Sequence, residues 1–220
     1  MGNSAIIKFE NRNLGVYLHW NGGYDSVLAF TKYCKLKEYR TDDYGIARLI
    51  QVIGNFFGGA LSLGACSMKK RMNSELVEKY GLDNGVYELD NNWEIVKHWN
   101  PDLVTKEYHE GYDLIEFLCL IDGSMPLKEQ LGKDFITAEE VPTSELKVGD
   151  KVYIKRYEEG NPEIHTVVGI AGEDEWCNGN VSNLPYIDLY ERDGDYSWNG
   201  NNYIRTETVR CVKTNQKEED

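Results

Sequence analysis

The chain has 220 residues, 41% of them hydrophobic, and a formal net charge of −13 at pH 7. This length allows one large domain or two small ones with their own hydrophobic cores, which excludes a mini-protein that needs disulfides or metals to fold. Because phosphate groups and anionic membranes repel a chain of this charge, we expect no direct nucleic-acid or membrane binding, and we expect a basic protein as the partner.

The cysteines and the apolar segments indicate the compartment in which the protein works. The five cysteines are odd in number and widely spaced, a pattern that favours neither a disulfide framework nor a zinc site. The first residues lack the basic and apolar regions of a signal peptide, and no segment reaches the roughly 18 apolar residues of a membrane span. We therefore predict a cytoplasmic protein with reduced cysteines.

The first elements in chain order are a predicted hairpin and two helices. AIIKF and LGVYLHW are rich in strand-forming residues and flank the turn residues ENRN. A first helix is predicted from a cap at Asp25 or Ser26 to about Tyr39, and a second helix follows Asp42. The second helix has apolar residues at helical spacing, namely Ile46, Leu49, Ile50, Ile53, Phe56 and Phe57.

Two further features complete the predicted N-terminal domain. GVYEL and WEIVKHW, with the turn residues DNN between them, predict a second hairpin, and YDLIEFLCLIDG predicts an apolar helix. Residues 60–80 are ambiguous, although LSLGAC has the composition of a short strand. We therefore predict that residues 1–133 form an α+β domain, an antiparallel sheet with helices on one face.

The pattern changes after Gly132 to short strands alone. KVYIKRY, HTVVGI, PYIDLY and RTETVRCV follow one another with Gly, Asn and Asp turns between them. This spacing is typical of a small antiparallel barrel, and we predict an SH3-like β-barrel over residues 138–214. Residues 215–220 are predicted to be a frayed tail.

One loop, residues 21–26, has the sequence NGGYDS between a predicted strand and a predicted helix. It resembles the Ser-Gly-Gly-x-Asp-Ser loop of PP-loop ATP pyrophosphatases at five of six positions, which implies a nucleotide site at Asn21, Gly22, Gly23, Asp25 and Ser26. In that class the first helix leads to another buried parallel strand, whereas residues 42–57 here have helical periodicity. A turn and a helix cap are therefore the preferred interpretation, and nucleotide binding is the alternative.

The acidic residues are concentrated in the C-terminal part of the chain. Residues 134–195 contain fifteen Asp or Glu against five Lys or Arg. Such a surface could occupy a basic nucleic-acid channel on another protein, which is the principle of nucleic-acid mimicry, or it could serve solubility alone. The predicted partner-binding residues are the acidic and aromatic residues Glu173, Asp174, Glu175, Asp193, Asp195, Tyr196 and Trp198.

Catalytic patterns are weak in this sequence. The four histidines are scattered, and none lies in a nucleophile motif or at helical spacing with a second metal ligand. Glu107, His109 and Glu110 could contribute to a metal cluster, but a solvated loop is the simpler interpretation. We therefore predict no catalytic residues, no metal and no cofactor, and we favour binding over catalysis.

Four longer phrases of the chain are VYLHWNGGYDSVLAF, IARLIQVIGNFFGG, EEVPTSELKVGD and PYIDLYERDGDYSWNGNNY. Together they resemble a family of uncharacterised proteins from gut low-GC Gram-positive bacteria and their phages and mobile elements. The resemblance transfers no active site, but it implies an accessory or anti-defence role. The predicted function is therefore a non-enzymatic acidic protein that binds a basic, nucleic-acid-handling protein, with a nucleotide-binding protein and a structural interaction module as alternatives.

Overall fold

The computed structural model describes residues 3–10, 12–68, 73–100, 113–155, 161–170, 185–187, 202–204 and 206–212. The chain divides into two compact units, Met1–Gln130 (unit 1) and Leu131–Asp220 (unit 2). In the described residues, unit 1 contains both helices and strands, and unit 2 consists mostly of strands. The predicted α+β class is confirmed at this level.

Unit 1 is built on a five-stranded sheet with the strand order β3-β2-β1-β4-β5. Its strands are β1 Ala5–Phe9, β2 Leu14–Leu18, β3 Leu63–Ser67, β4 Val86–Leu89 and β5 Ile95–Trp99. The predicted hairpins β1–β2 and β4–β5 are antiparallel, but β1 and β4 run parallel, with Ile6 opposite Val86. The prediction of a wholly antiparallel sheet is therefore wrong, because strand composition does not specify which strands pair or in which direction.

Two of the four helices of unit 1 begin after an aspartate that caps them. The helices are α1 Tyr24–Leu36, α2 Asp43–Phe56, α3 Asn73–Tyr80 and α4 Leu114–Ser124. The Asp42 carboxylate caps α2 by accepting hydrogen bonds from the N–H groups two and three residues later, at 3.0 and 3.2 Å, and Asp113 caps α4 in the same way at 2.9 and 3.2 Å. These caps satisfy N–H groups that have no partner within the helix.

Helices cover both faces of this sheet, so the prediction of helices on one face is wrong. On one face, Ile6 packs with Leu76 of α3 in an apolar cluster. On the other face, Phe9 makes an edge-to-face contact with Trp93 at 4.9 Å, and the Trp93 indole donates to the Tyr39 carbonyl that follows α1. Helix α3 lies in the segment that the sequence left ambiguous, which is why its face was not foreseen.

Unit 2 contains a short helix and a six-stranded antiparallel sheet. The elements are α5 Lys133–Ile136, β6 Glu139–Pro142, β7 Lys151–Ile154, β8 Glu163–Ile170, β9 Pro185–Ile187, β10 Asn202–Tyr203 and β11 Thr208–Cys211. The strand order β10-β9-β8-β7-β11-β6 leaves β10 and β6 as edges of the described sheet. The predicted SH3-like barrel is therefore not supported, since closure depends on strand curvature and stagger that turn spacing does not encode.

A small apolar cluster holds the described strands of unit 2 together. Its buried members are Leu146, Val152, Val167, Ile187, Ile204 and Val209. Helix α5 spans the segment in which the sequence predicts the domain boundary, and its Phe135 and Ile136 are buried. The predicted frayed tail, residues 215–220, lies outside the described residues.

Candidate functional site

The loop of residues 21–26 connects the end of β2 to α1. Its first residue, Asn21, has a positive φ of 55°, which fits the tight turn that the sequence predicts. The Gly22 N–H donates to the Asn3 carbonyl at 2.7 Å, and the Gly22 carbonyl accepts from the Tyr87 hydroxyl at 3.0 Å. Both backbone groups of Gly22 are thus used inside the fold, so its N–H is not available to cradle a phosphate.

The two glycines of this loop differ in how much space a side chain would have. A Cβ at Gly22 would lie 2.7 Å from the Cβ and backbone nitrogen of Ala5 and from the Asn3 carbonyl oxygen, which is closer than real contacts allow. At Gly23 the nearest atom to an added Cβ is 3.7 Å away, an ordinary contact distance. Gly22 is therefore required by packing against the start of β1, whereas Gly23 is not.

The start of α1 differs from the prediction. Gly23 is the N-cap, with extended backbone angles and no side-chain cap, and its carbonyl accepts from the Val27 N–H at 3.0 Å. Asp25 is buried in the first turn and Ser26 is half-buried in the same turn, so the prediction that either residue caps the helix is wrong. A carboxylate in the first turn already complements the positive end of the helix dipole and repels a second anion there.

An aromatic stack that the sequence analysis missed closes the other side of this loop. Tyr87 on β4 and His98 on β5 are cross-strand partners whose rings stack in parallel, 4.1 Å apart. Tyr24 lies 6.3 Å from each of these two rings. The His98 Nε2 lies 2.6 Å from the Asn84 carbonyl, which can only accept, so this nitrogen carries the proton.

The stack packs the loop against the sheet rather than opening a reactive centre. Burial, reinforced by the nearby Tyr24 and Asp25, raises the pKa of Tyr87, which keeps its phenol protonated and donating to Gly22. His98 is half-buried in this contact instead of lying on the sheet surface, the position that its sequence neighbours suggest. The signal that could have found it is the hairpin register, which pairs position 98 with a buried aromatic residue.

The topology around the loop also differs from that of a PP-loop domain. After β2 the chain forms α1 and α2 and then returns as β3, which pairs antiparallel with β2 and places Leu63 opposite Leu18. In a PP-loop domain the first helix is followed by a parallel strand, whereas here it is followed by a second helix and an antiparallel strand. The loop matches the PP-loop pattern at five of six positions, but it has neither the strand context of a phosphate site nor a free amide at Gly22.

The predicted partner-binding residues lie outside the described part of the chain. They are Glu173, Asp174, Glu175, Asp193, Asp195, Tyr196 and Trp198. Among the described residues of unit 2, exposed carboxylates occur on α5, on the edge strand β6, at the start of β8 and in the connecting turns, namely Asp134, Glu139, Glu140, Glu145, Glu163 and Glu207. The edge strand ends at Pro142, which has no N–H to offer to an added strand.

Arg210 fixes the acidic edge to the short helix α5. Its Nη1 donates to the carbonyls of Phe135, Ile136 and Ala138 at 3.3, 3.3 and 2.8 Å. Its Nη2 lies 3.8 Å from a Glu140 carboxylate oxygen, and the other oxygen of that carboxylate accepts from the Thr208 hydroxyl at 2.6 Å. Glu140 is thus positioned by two partners, while its side chain remains at the surface.

Thiol and metal chemistry receive no support from the described residues. Burial raises the pKa of the Cys34 thiol, and burial with the nearby Asp150 and Glu139 raises that of Cys211, so the thiolate form is disfavoured at both. Within the described ranges, no group of three His, Cys, Asp or Glu side chains is arranged to hold a metal ion. Glu107, His109 and Glu110 fall in the stretch 101–112, outside those ranges.

None of the helices in the described ranges combines the length and the apolarity that crossing a bilayer requires. Comparison with protein-family models, with curated proteins and with solved structures finds no significant match to the chain.

Proposed function

We propose that the protein is a non-enzymatic acidic binding protein that engages a basic surface of another cytoplasmic protein. The observation that carries this proposal is the concentration of fifteen carboxylates against five cations in residues 134–195. A charge imbalance of this size produces a negative potential that attracts and orients a basic partner. The exposed carboxylates of the described part of unit 2 are compatible with such a surface.

The finer proposal is that the partner is a nucleic-acid-handling protein whose binding channel the acidic surface occupies. Such channels carry clustered Lys and Arg that bind phosphates. A protein surface binds these cations when its carboxylates take the place of the phosphates. The resemblance to phage and mobile-element proteins extends this proposal to an accessory or anti-defence role, in which the occupied channel belongs to a defence effector. In this proposal Glu173, Asp174 and Glu175 supply charge, and Tyr196 and Trp198 act as aromatic anchors.

The nucleotide alternative is weakened by one observation, the hydrogen bond that commits the Gly22 N–H to the Asn3 carbonyl. We therefore expect ATP with magnesium to show no saturable binding to the full chain in calorimetric titration. Binding that is lost on Asp25→Ala would reverse the order of the two functions.

The proposal is tested by affinity capture from the native host with the full chain as bait. The test variant carries Glu173→Lys, Asp174→Lys and Glu175→Lys, and the matched control carries Glu38→Lys, Glu78→Lys and Glu116→Lys, three exposed carboxylates of unit 1. Both baits change the net charge equally, so only the position of the charge differs. We expect a basic protein to be captured by the parent and by the control bait but not by the test bait.

Equal capture by the two variant baits would contradict a localised acidic site. Capture of no basic protein by any bait would contradict the proposal and leave the acidity as a device for solubility.

A further inference from the structure

Four aromatic rings form a row on the unit 1 sheet, from the half-buried Tyr80 and Tyr17, which pack against the Ile6 cluster, to the exposed His19 and Trp20. The rings of Tyr80, Tyr17, His19 and Trp20 follow one another with centroid distances of 6.1, 6.4 and 4.8 Å. The His19 N–H donates to the Ser62 carbonyl at 2.9 Å, which ties this end of the row to the residue before β3. These four side chains, Tyr17, His19, Trp20 and Tyr80, form the aromatic strip.

The rings of the aromatic strip are held in place before any partner arrives. The Tyr17 hydroxyl and the His19 Nδ1 are 3.2 Å apart, within hydrogen-bonding distance, and His19 packs edge-to-face on Trp20. Gly64 lies opposite Tyr17, where a side chain would contact the ring at 3.6 Å, so glycine leaves that side of the ring open. Rigid aromatic side chains lose little conformational freedom on binding, which makes such a row an efficient anchor.

The chemistry of the aromatic strip favours a cationic ligand. Ring faces attract ammonium and guanidinium groups, and Arg also stacks flat on aromatic rings. One ring of the strip already holds a cation, since the Lys79 Nζ lies 5.1 Å from the Tyr80 centroid. Residues 1–130 carry eighteen acidic and fourteen basic residues, so the charge of unit 1 itself favours a positive ligand over a phosphate-bearing one, although bases can also stack on such rings.

We propose that the aromatic strip binds arginine side chains of a basic segment on the protein partner. This inference rests on the proposed function, in that the partner is basic, and it adds a docking surface in unit 1 to the acidic residues of unit 2. The acidic residues attract the partner over a distance, whereas the strip holds individual guanidinium groups by contact. The two contributions differ in their response to salt, because contacts between stacked groups are screened less than charges in water.

The sheet offers a matched control at its other edge. Trp20 and Trp99 are both 46% exposed, and the strand order separates β2 from β5 by two strands. Replacing either tryptophan with alanine removes the same amount of exposed indole, but only Trp20 belongs to the aromatic strip.

The test uses the full chain and a fluorescent peptide of alternating arginine and glycine, followed by fluorescence polarisation. A second peptide carries citrulline, which keeps the shape of arginine without its charge. We expect Trp20→Ala to weaken binding of the arginine peptide about thirtyfold, the effect of losing an aromatic anchor. Trp99→Ala should change it less than about threefold, and the citrulline peptide should bind the parent as weakly as the arginine peptide binds Trp20→Ala. His19→Ala serves as the second strip variant, and circular dichroism checks that each variant is folded.

The possible outcomes separate this inference from the proposed function. Equal affinity of the Trp20→Ala and Trp99→Ala variants, with binding lost only on charge reversal at Glu173, Asp174 and Glu175, would overturn the strip and leave the acidic surface. An arginine peptide that does not bind the parent overturns the strip as well. In that case the affinity capture decides separately whether a basic partner exists.

Discussion

The two units differ in charge and in how completely their strands are buried. Residues 1–130 contain eighteen acidic and fourteen basic residues, whereas residues 131–220 contain nineteen acidic and only ten basic ones. In unit 1 every residue of β4 is buried, as are all but one residue of β1, because helices lie on both faces of the sheet. In unit 2 the strand β8 exposes alternate residues, namely Ile164, Val168 and Ile170.

This difference indicates where each unit tolerates change. A strand buried on both faces accepts few substitutions without loss of packing, since interiors are close-packed. A strand that exposes one face can change its outward side chains at little cost to stability. We therefore expect the acidic surface of unit 2 to be separable from the fold, and the loop of unit 1 to be inseparable from it.

The largest expected effect comes from shortening a buried side chain of the unit 1 sheet. Ile6 is fully buried between β2, β4 and α3, so Ile6→Ala should lower the free energy of unfolding by about 4 kcal/mol. Val209→Ala in the unit 2 cluster should cost about 2 kcal/mol, since fewer buried atoms are removed. Hydrogen exchange read by mass spectrometry on peptides from β1 and β7 reports each unit separately. Equal losses in the free energy of unfolding of the two units would contradict the proposed difference in packing.

A second expectation tests whether the loop is structural. Gly22→Ala should destabilise unit 1 by about 3 kcal/mol, because its Cβ would meet backbone atoms of Asn3 and Ala5. Gly23→Ser is the control, and it should be neutral or stabilise α1 by a few tenths of a kcal/mol by supplying a side-chain cap. Thermal melting of both variants measures the difference. A stable Gly22→Ala variant would reopen the nucleotide interpretation.

A third expectation concerns the attachment of α5 to the acidic edge of unit 2. Arg210→Met keeps the aliphatic stem but removes the donors to three carbonyls, and it should cost about 2 kcal/mol. Arg210→Lys should lose less, because it retains one charged donor without the planar fork. Urea unfolding of the two variants gives the comparison. A methionine variant that is no less stable than the lysine variant would show that the carbonyls are satisfied in another way.

The smallest expected effect is a pH dependence located in unit 1. Burial alone raises the pKa of Glu88, but hydrogen bonds from Asn73 and Lys8 and the charge of Lys97 outweigh it and lower that pKa. Ionised Glu88 therefore stabilises unit 1 above its unfolded-state pKa of about 4.3, and this contribution is lost as the pH falls through the lower folded-state value.

This pH dependence is measured by melting the parent and the Glu88→Gln variant between pH 6 and pH 3. We expect the stability difference between the two to shrink, by less than about 1 kcal/mol, as the pH falls. The exposed Glu78→Gln variant is the control and should follow the parent. A difference that grows on acidification would contradict the assignment.

The sequence predicts a helix well where a capping residue shows where the helix begins. Asp42 and the apolar residues after it predict α2, and the structure places Ile46, Leu49 and Ile53 in the core. The predicted start of α1 was wrong because the loop before it is held by the contact of Gly22 with the start of β1. That contact joins residues distant in sequence. The parallel pairing of β1 with β4 has the same origin, since long-range pairing leaves no periodic signal in either strand. Of the candidate site, the sequence identifies the loop and the acidic bias but not the aromatic strip, whose members come from β2, the β2–α1 connection and α3.

The most direct test of the central claim, that unit 2 acts through its negative charge, is the salt dependence of association with the captured partner. Association should be fast at low ionic strength and should slow steeply as salt screens the acidic surface. Reversing the charge at Glu173, Asp174 and Glu175 should slow association more than it speeds dissociation, because charges at the rim act mainly on encounter. An association rate that ignores salt and tolerates all three reversals would contradict the claim.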